Sequence, residues 1–260
     1  MNRFSLFLKY IHYLWYAQSA HSLHSPFVFE LYNNVLRSEK KPGSYDRILM
    51  LYKLQRSDNT QITLVDFGVG SYRTNSNNSL GKKIRTSSVS VKYGLLLYRI
   101  AQHYKPHYIL ELGTAAGFSS IFMAAGSGNA VIKSIEGNPD LCALARKNHT
   151  LLGLSNIDVI CGRFEDKLPL VLADLPHTDL VFIDGNHNKE ATIAYFKQIL
   201  SKCANDSIIV FDDIRWSAGM LEAWKEISTH PRVSLSVDLF RIGLVYLRKE
   251  LSKQHLMIRY

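Results

Sequence analysis

Apolar residues are spaced differently in the first third of this chain and in the remainder. In the first third, the segments 5–18 and 27–55 repeat apolar residues at helical intervals, and a stretch rich in Asn and Ser, 71–83, predicts a loop. In the remainder, short apolar runs alternate with segments of helical spacing. The pattern predicts an N-terminal helical extension with a polar loop over 1–86 and a second domain over 87–260.

The second domain reads as alternating strands and helices. Compact apolar runs predict strands at 108–112, 131–135, 157–161, 180–183 and 208–211. Helical spacing predicts helices at 91–104, 118–125, 138–152, 164–174, 189–201 and 216–228. This alternation predicts an α/β fold whose parallel sheet is covered on both faces. Two last runs, 233–237 and 240–247, are too close for a crossover helix. We therefore expect a doubly wound, mostly parallel seven-stranded sheet with an antiparallel edge strand.

The composition is that of an ordinary globular protein, with 47% hydrophobic and 20% charged residues. No run approaches the ~18 consecutive apolar residues of a membrane span. Lys9, His12 and Gln18 interrupt the N-terminal apolar stretch that a secretory signal requires. The three cysteines form no CxxC pair, which argues for a reducing compartment and against structural zinc. A cytoplasmic protein with no membrane association is the expectation.

The formal net charge is +9, with basic residues spread over Lys40–Lys41, Lys82–Arg85 and the tail after Arg248. Charge alone bears on association and not on the reaction. RNA therefore stays open as a partner.

Two glycine-bearing turns follow strand-like runs, VDFGVGS (65–71) and LELGTAAGFSS (110–120). A nucleoside cofactor binds at the carboxyl ends of the strands of an open α/β sheet, where glycine lets the backbone approach the ligand. Only the second turn is followed by a helix, opened by Gly117, and by an acid at the end of the next strand, Glu136. Gly68 and Gly70 are therefore interpreted as a simple turn.

The second turn does not favour a dinucleotide. Its spacing is not the GxGxxG of dinucleotide-binding folds, and Glu111 would place a carboxylate beside a pyrophosphate. A cationic sulfonium cofactor tolerates that carboxylate. The alternative for Glu111 is a solvated strand end.

Three carboxylates follow two neighbouring predicted strands: Asp184 after one, Asp212 and Asp213 after the other. Carboxylates that converge at one edge of a sheet repel each other unless a cation or a proton intervenes. Oxygen ligands suit Mg²⁺, with Ca²⁺ and Mn²⁺ also open. The alternatives are that Asp212 or Asp213 caps the helix near Ser217, or that Asp184 binds the cofactor alone.

The motifs ILELGTAAGFSS, IKSIEGNP, CGRFED, DLVFIDGNH and IIVFDDI occur in this order over about 88–248. Together they resemble the class I S-adenosylmethionine-dependent methyltransferases, in particular the catechol O-methyltransferase-like branch. The N-terminal HSPFVFELY and VDFGVGS resemble uncharacterised methyltransferases of the Bacteroidetes group. The resemblance implies a Rossmann-like fold and S-adenosylmethionine as the cofactor.

The resemblance also implies a set of cofactor-binding residues: Glu111, Gly113, Thr114, Gly117, Ser119, Glu136, Gly162, Arg163, Phe164 and Asp184. Glu111 and the glycines after it would line the methionine end, and Glu136 would accept from both ribose hydroxyls. The segment 162–164 would border the adenine, with the alternative that Phe164 is a core residue at a helix start.

In the metal-dependent branch, the acids correspond to two aspartates and an asparagine, and here Asp213 replaces the asparagine. The family often carries a basic lysine shortly after the first aspartate, whereas this chain has Asn186 and His187 there and Lys189 further on. His187 and Lys189 are therefore the candidate bases, with cofactor orientation as the alternative role of His187.

The leading hypothesis is metal-assisted methylation of a small-molecule hydroxyl. The alternatives are an RNA methyltransferase and a catalytically silent scaffold that binds the cofactor. The aromatic N-terminal segment 1–55 is expected to pack onto the catalytic domain and to cover part of its active face, with a homodimer also open.

Overall fold

A computed structural model describes residues 3–19, 25–61 and 79–260. The predicted turn at Gly68 and Gly70, and the part of the predicted polar loop at 71–78, lie outside these residues. The described chain divides into two compact units. The central unit is Ser38–Asp174, and the terminal unit combines Met1–Arg37 with Leu175–Tyr260.

The helices are α1 Arg3–Tyr16, α2 Pro26–Leu31 with a π-helical turn Tyr32–Leu36, α3 Tyr45–Arg56, α4 Leu80–Ser87, α5 Val91–Tyr104, α6 Phe118–Ser127, α7 Pro139–Leu151, α8 Phe164–Asp174, α9 Lys189–Leu200 and α10 Ala218–Thr229. The strands are β1 Tyr108–Leu112, β2 Val131–Glu136, β3 Ile157–Cys161, β4 Thr178–Ile183, β5 Cys203–Phe211, β6 Leu235–Asp238, β7 Gly243–Tyr246 and β8 Gln254–Met257.

The three strands of the central unit are parallel and lie in the order β3-β2-β1. Leu112 pairs with Ile135, and Glu136 pairs with Cys161, so the carboxyl ends of the strands are level. The strands are largely buried apolar runs, as expected where helices cover both faces of a parallel sheet. The residues that follow the strands therefore share one edge of the unit.

The five strands of the terminal unit lie in the order β4-β5-β7-β6-β8. β4 and β5 are parallel, and β7 is antiparallel to both β5 and β6. Phe211 pairs with Gly243 at the end of β5. The turn between β6 and β7 therefore lies beside the carboxyl end of β5, where the predicted acids follow.

The expected α/β fold class is confirmed, with eight strands in the described residues instead of seven. The sequence pattern did not reveal β8, which pairs parallel to β6 beyond the antiparallel strand β7. The prediction of one helix over 27–55 is wrong, because the first helical segment ends at Leu36 and a separate helix, α3, begins at Tyr45. Pro42 and Gly43 lie in the gap, and proline cannot continue a helix past its first turn. The predicted loop was also too long, since residues 80–83 belong to α4.

Local capping signals are confirmed for α7. The side chain of Asn138 accepts hydrogen bonds from the amides of Asp140 and Leu141 at 2.9 and 3.1 Å. Pro139 takes the first helical position, and Gly153 follows the helix with φ +73. Asparagine as N-cap, proline inside the start and glycine past the end satisfy the termini in the usual way.

The N-terminal helix α1 packs within the terminal unit. Tyr13 is buried, donates a hydrogen bond from its hydroxyl to the carbonyl of Ile258, and lies with its ring centre 5.3 Å from that of Phe240. The amide of Gln18 donates to the carbonyl of Met257 at 2.7 Å. These contacts attach α1 to the β6–β7 turn and to β8. None of the helices in the described ranges is long and apolar enough to cross a membrane.

Candidate active site

Glu136 ends β2 and fixes the loop that follows β1. Its Oε2 accepts from the amide of Ala115 at 2.8 Å, and its Oε1 accepts from the amide of Asn138 at 2.9 Å. A carboxylate has about four acceptor positions, so these two bonds leave capacity on both oxygens. Glu136 is half-buried, and ligand hydroxyls are therefore compatible with its remaining acceptor positions.

The loop after β1 depends on left-handed backbone. Gly113 has φ +101 and donates its amide to the carbonyl of Ile135 at 2.9 Å, and Ala115 has φ +46. Gly117 has φ +82, and a Cβ there would lie 2.5 Å from Nε2 of His149. Gly117 therefore serves the packing of the loop against α7, a role that the glycine pattern did not reveal.

Glu111 is fully buried, which excludes the solvated strand end considered from the sequence. The hydroxyl of Ser134 donates to its Oε2 and is itself hydrogen-bonded to the hydroxyl of Thr114. Oε1 has no hydrogen-bond partner in the part of the chain that the structure describes. Burial raises the pKa of Glu111 to about 7, and nearby Ser119 and Ser134 hydroxyls oppose that rise in pKa. Thr114 and Ser119, both predicted as cofactor ligands, are buried around this carboxyl.

The segment after β3 holds the last predicted cofactor residues. The amide of Gly162 donates to the carbonyl of Glu136 at 2.9 Å, and Gly162 has φ +146. Arg163 is exposed and lies 3.5 Å from a carboxylate oxygen of Glu165. Phe164 starts α8 and is half-buried, so it does not belong to the fully buried core.

In the terminal unit, a second group of predicted residues follows β4 and β5. Nε2 of His187 lies 3.8 Å from Oδ1 of Asp184 and 4.0 Å from Oδ2 of Asp213. One ligand atom from each of these three residues lies within 4.8 Å of the others. The structure thus brings two of the three predicted metal ligands together with His187, one of the two predicted bases.

The backbone around this cluster is left-handed at three positions that are not glycine. Asn186, His187 and Asp213 have φ of +66, +30 and +50. Such conformations carry strain for residues with a side chain and persist where the surroundings enforce them. Nδ2 of Asn186 donates to the hydroxyl of Tyr195 at 3.0 Å, which contributes to holding this loop.

Asp212, the third predicted metal ligand, pairs with an arginine instead. Nε of Arg241 lies 2.8 Å from Oδ1 of Asp212, and Nη2 lies 2.7 Å from Oδ2. The Asp212 side chain has no exposed surface. The sequence reasoning missed Arg241, although the predicted antiparallel hairpin should have drawn attention to it. A strand antiparallel to β5 must begin at the carboxyl end of β5, and Arg241 lies just before that strand.

A second arginine–aspartate pair links the loop after β5 to the end of β6. Here the loop after β5 supplies the arginine, whereas in the first pair it supplies the aspartate. Arg215, in the loop after β5, forms two hydrogen bonds of 2.6 Å with the carboxylate of Asp238 at the end of β6. Its guanidinium also lies 5.2 Å from the ring centre of Phe240. The two pairs together clamp the loop after β5 to the β6–β7 turn.

Lys189, the other predicted base, is turned toward α10. Its Nζ lies 2.7 Å from Oε2 of Glu222, and this hydrogen bond raises the pKa of Lys189. Ser217 caps α10 with its own hydroxyl, 3.0 Å from the amide of Met220. The alternative of Asp212 or Asp213 as the cap is therefore excluded.

The ionisation of the cluster follows its burial. Burial lowers the pKa of His187, with the charge of Asp212 opposing and that of Arg241 reinforcing the decrease in pKa. Burial and then the charge of Asp212 raise the pKa of Asp213 to about 6, against the effect of Arg241. At neutral pH His187 is neutral, so an imidazole nitrogen can bind a cation or accept a proton.

Part of the chain is similar to known methyltransferases. Residues 110–214 match the methyltransferase domain family Methyltransf_24. The chain is 33% identical over 136 residues to a catechol O-methyltransferase of Mycobacterium tuberculosis. The aligned residues cover 52% of this chain and 60% of that protein. It is 36% identical over 149 residues to a catechol O-methyltransferase of Niastella koreensis, covering 56% of this chain and 65% of that protein. The chain thus spans less than two thirds of the length of these two relatives.

Solved structures show the same fold. An O-methyltransferase of Bacillus cereus in complex with SAH is 22% identical, with a TM-score of 0.57 over 85% of this chain and 97% of that one. An SAH-bound methyltransferase of Podospora anserina is 17% identical, with a TM-score of 0.61 over 89% of this chain and 100% of that one. Residues 110–214 thus match a methyltransferase domain, and the chain shares the fold of these SAH-bound methyltransferases.

Proposed function

We propose that this protein transfers a methyl group from S-adenosylmethionine to a hydroxyl of a small molecule, with the help of a divalent cation. The observation that carries the proposal is the cluster of Asp184, His187 and Asp213 after β4 and β5, with ligand atoms within 4.8 Å of one another.

The central unit fits the cofactor. Glu136 retains acceptor positions suited to the two hydroxyls of a ribose, and Gly113 gives the loop beside it the backbone that close approach requires. The buried Oε1 of Glu111 has no partner among the described residues, and a cationic or amino-bearing ligand would supply one. When bound, S-adenosylmethionine provides an electrophilic methyl group on a sulfonium.

The terminal unit fits a divalent cation. Asp184 and Asp213 offer carboxylate oxygens, and His187 offers a neutral nitrogen. A cation held by them would stabilise the deprotonated form of an acceptor hydroxyl. His187 is better suited than Lys189 to a role beside the acceptor, because Lys189 is paired with Glu222.

The acceptor class is supported by the relatives and by one aromatic residue. Both relatives described above are named catechol O-methyltransferases. Trp216 is 60% exposed, and its ring centre lies 5.8 Å from that of His187. An exposed indole beside the cluster gives an aromatic acceptor a surface on which to stack. We therefore propose an acceptor with aromatic hydroxyls.

The test is methyl transfer from labelled S-adenosylmethionine to a panel of catechols and monophenols, with and without excess chelator. We expect transfer to catechols that chelator abolishes, while calorimetry shows nearly unchanged cofactor binding. Full activity in chelator would contradict cation assistance. Turnover of RNA that weakens steeply between low and moderate salt, with no turnover of phenols, would favour RNA as the acceptor.

A further inference from the structure

Arg241 occupies a fixed position beside the cluster of Asp184, His187 and Asp213. It lies in the β6–β7 turn, where its carbonyl accepts from the amide of Ile214 at 3.0 Å. Ile214 belongs to the loop after β5, directly after the two aspartates. The reciprocal pair of Arg215 and Asp238 ties the same loop to the same turn. The guanidinium of Arg241 is therefore held by the architecture of the hairpin and not by a mobile surface loop.

The carboxylate of Asp212 is nearly saturated by hydrogen bonds. Oδ1 accepts from Nε of Arg241 at 2.8 Å and from the amide of Asp213 at 2.8 Å. Oδ2 accepts from Nη2 of Arg241 at 2.7 Å. Bidentate arginine–carboxylate pairs are the strongest of the charge-assisted hydrogen bonds. With no exposed surface, the Asp212 side chain presents no oxygen to solvent.

The remaining donors are differently placed. The side chains of Asp184, His187 and Asp213 keep 13%, 30% and 18% of their surface exposed. Arg241 approaches the cluster at Asp213, with Nε 3.2 Å from Oδ1, and the other oxygen of Asp213 faces His187. One side of the cluster is thus closed by the guanidinium, whereas the donors on the other side keep exposed surface.

We propose that Arg241 is a positioning residue that keeps Asp212 out of the ligand set of the cation, leaving Asp184, His187 and Asp213 as the protein ligands. This inference rests on the cation of the proposed function. It changes the chemistry of the site, because an imidazole replaces a carboxylate among the ligands. Imidazole nitrogen suits cations such as Co²⁺ and Zn²⁺, whereas Mg²⁺ prefers oxygen ligands. The fixed positive charge of Arg241 also repels any bound cation.

The decisive variant is Arg241→Gln, which removes the charge and releases Asp212. Titration calorimetry of the cofactor-free protein with Mg²⁺ and with Co²⁺ gives affinities without any methyl acceptor. We expect Arg241→Gln to bind Mg²⁺ about tenfold more tightly than the natural chain, in the range seen when residues supporting metal ligands are changed. The gain for Co²⁺ should be smaller, because its nitrogen ligand is already present.

Two further variants separate release of Asp212 from loss of charge. Arg241→Gln combined with Asp212→Asn should lose the gain in Mg²⁺ affinity, because the released oxygen ligand is gone. Arg215→Gln breaks the other bidentate pair of the hairpin but leaves Arg241 and Asp212 in the chain, so any change in Mg²⁺ or Co²⁺ affinity that it causes measures loosening of the hairpin and should be smaller than the change in Arg241→Gln. A loosened hairpin would instead shift Arg215→Gln and Arg241→Gln alike.

The proposal is overturned if Arg241→Gln binds Mg²⁺ no more tightly than the natural chain, or if the double variant keeps the gain. Should Arg241→Gln fail to fold, Asp212→Asn alone decides: the visible spectrum of bound Co²⁺ should be unchanged if Asp212 is not a ligand, and a lost spectrum contradicts the proposal. Because these readouts need neither cofactor nor acceptor, absence of methyl transfer would refute the proposed function without deciding this inference.

Discussion

Gly117 and His149 are packed so closely that no side chain fits between them: a Cβ on Gly117 would lie 2.5 Å from Nε2 of His149. That nitrogen lies 3.0 Å from the hydroxyl of Ser120, in the first turn of α6. Burial lowers the pKa of His149 to about 4, so the ring is neutral near pH 7. The glycine that opens α6 is therefore needed for packing as well as for its left-handed backbone.

We expect Gly117→Ala to lower the free energy of unfolding by about 2–4 kcal/mol, from overpacking and from strain at a positive φ. Gly153→Ala is the matched control, because Gly153 has φ +73 but a Cβ added there would meet no atom within 4 Å. Gly153→Ala should lower the free energy of unfolding by about 1–2 kcal/mol, which is the strain of a left-handed backbone without any overpacking. Urea unfolding measures both, and equal losses would show that His149 does not limit the space at Gly117.

The buried carboxyl of Glu111 predicts a pH dependence of stability. Its pKa is raised from 4.5 to about 7 by burial, so the folded protein binds more protons than the unfolded chain between these values. The contribution of Glu111 to stability is therefore fully present below pH 4.5 and is lost as the pH rises through 7. The loss of stability is roughly 3.5 kcal/mol, at about 1.4 kcal/mol per pKa unit.

Glu111→Gln should remove this loss. In the cofactor-free protein, the variant should become more stable relative to the natural chain as the pH is raised from 5 to 8, as measured by urea unfolding at both values. Glu190→Gln, at an exposed position, is the control for replacing a carboxylate by an amide. A pH-independent difference for Glu111→Gln would mean that this carboxyl titrates normally.

Glu136→Ala should weaken binding of S-adenosylmethionine by tenfold or more, because hydrogen bonds to a charged acceptor contribute about 1.5–3 kcal/mol each. The loss includes the anchor of the loop, since Glu136 also accepts from the amide of Ala115. Glu165→Ala, which removes an exposed carboxylate after β3, controls for charge. Calorimetry with equal affinities for the natural chain and Glu136→Ala would end the assignment of Glu136 to the ribose.

Substitutions of Tyr13 test how much the contacts of α1 within the terminal unit contribute to stability. Tyr13→Ala should destabilise the protein by about 3–5 kcal/mol, as large-to-small changes in a core do. Tyr13→Phe should cost about 1 kcal/mol, the value of its hydrogen bond to the carbonyl of Ile258. Tyr16→Ala is the control on the same helix, because Tyr16 is 56% exposed and should change stability by no more than about 0.5 kcal/mol. Similar losses at Tyr13 and Tyr16 in thermal unfolding would contradict the attachment.

Much of this protein follows from local patterns in its sequence. The alternation of apolar runs and helical spacing determined the strands from β1 to β5 and the helices between them. The capping residues of α7, Asn138 and Gly153, were readable because capping involves only the few neighbouring residues. The placement of Glu136 at the end of β2 also followed, as did that of Asp184 and Asp213 after β4 and β5, because within each unit the parallel strands direct their carboxyl ends to one edge.

Only the tertiary structure decided how those acids are used. Arg241 lies 29 residues after Asp212, a separation that no periodicity or motif spacing links, and the two meet because β7 runs antiparallel to β5. The burial of Glu111 and the contact between Gly117 and His149 likewise depend on how separate elements pack. A residue's neighbours along the chain determine its backbone preference, whereas its charge state and its partners are determined by the side chains that folding brings within a few ångströms of it.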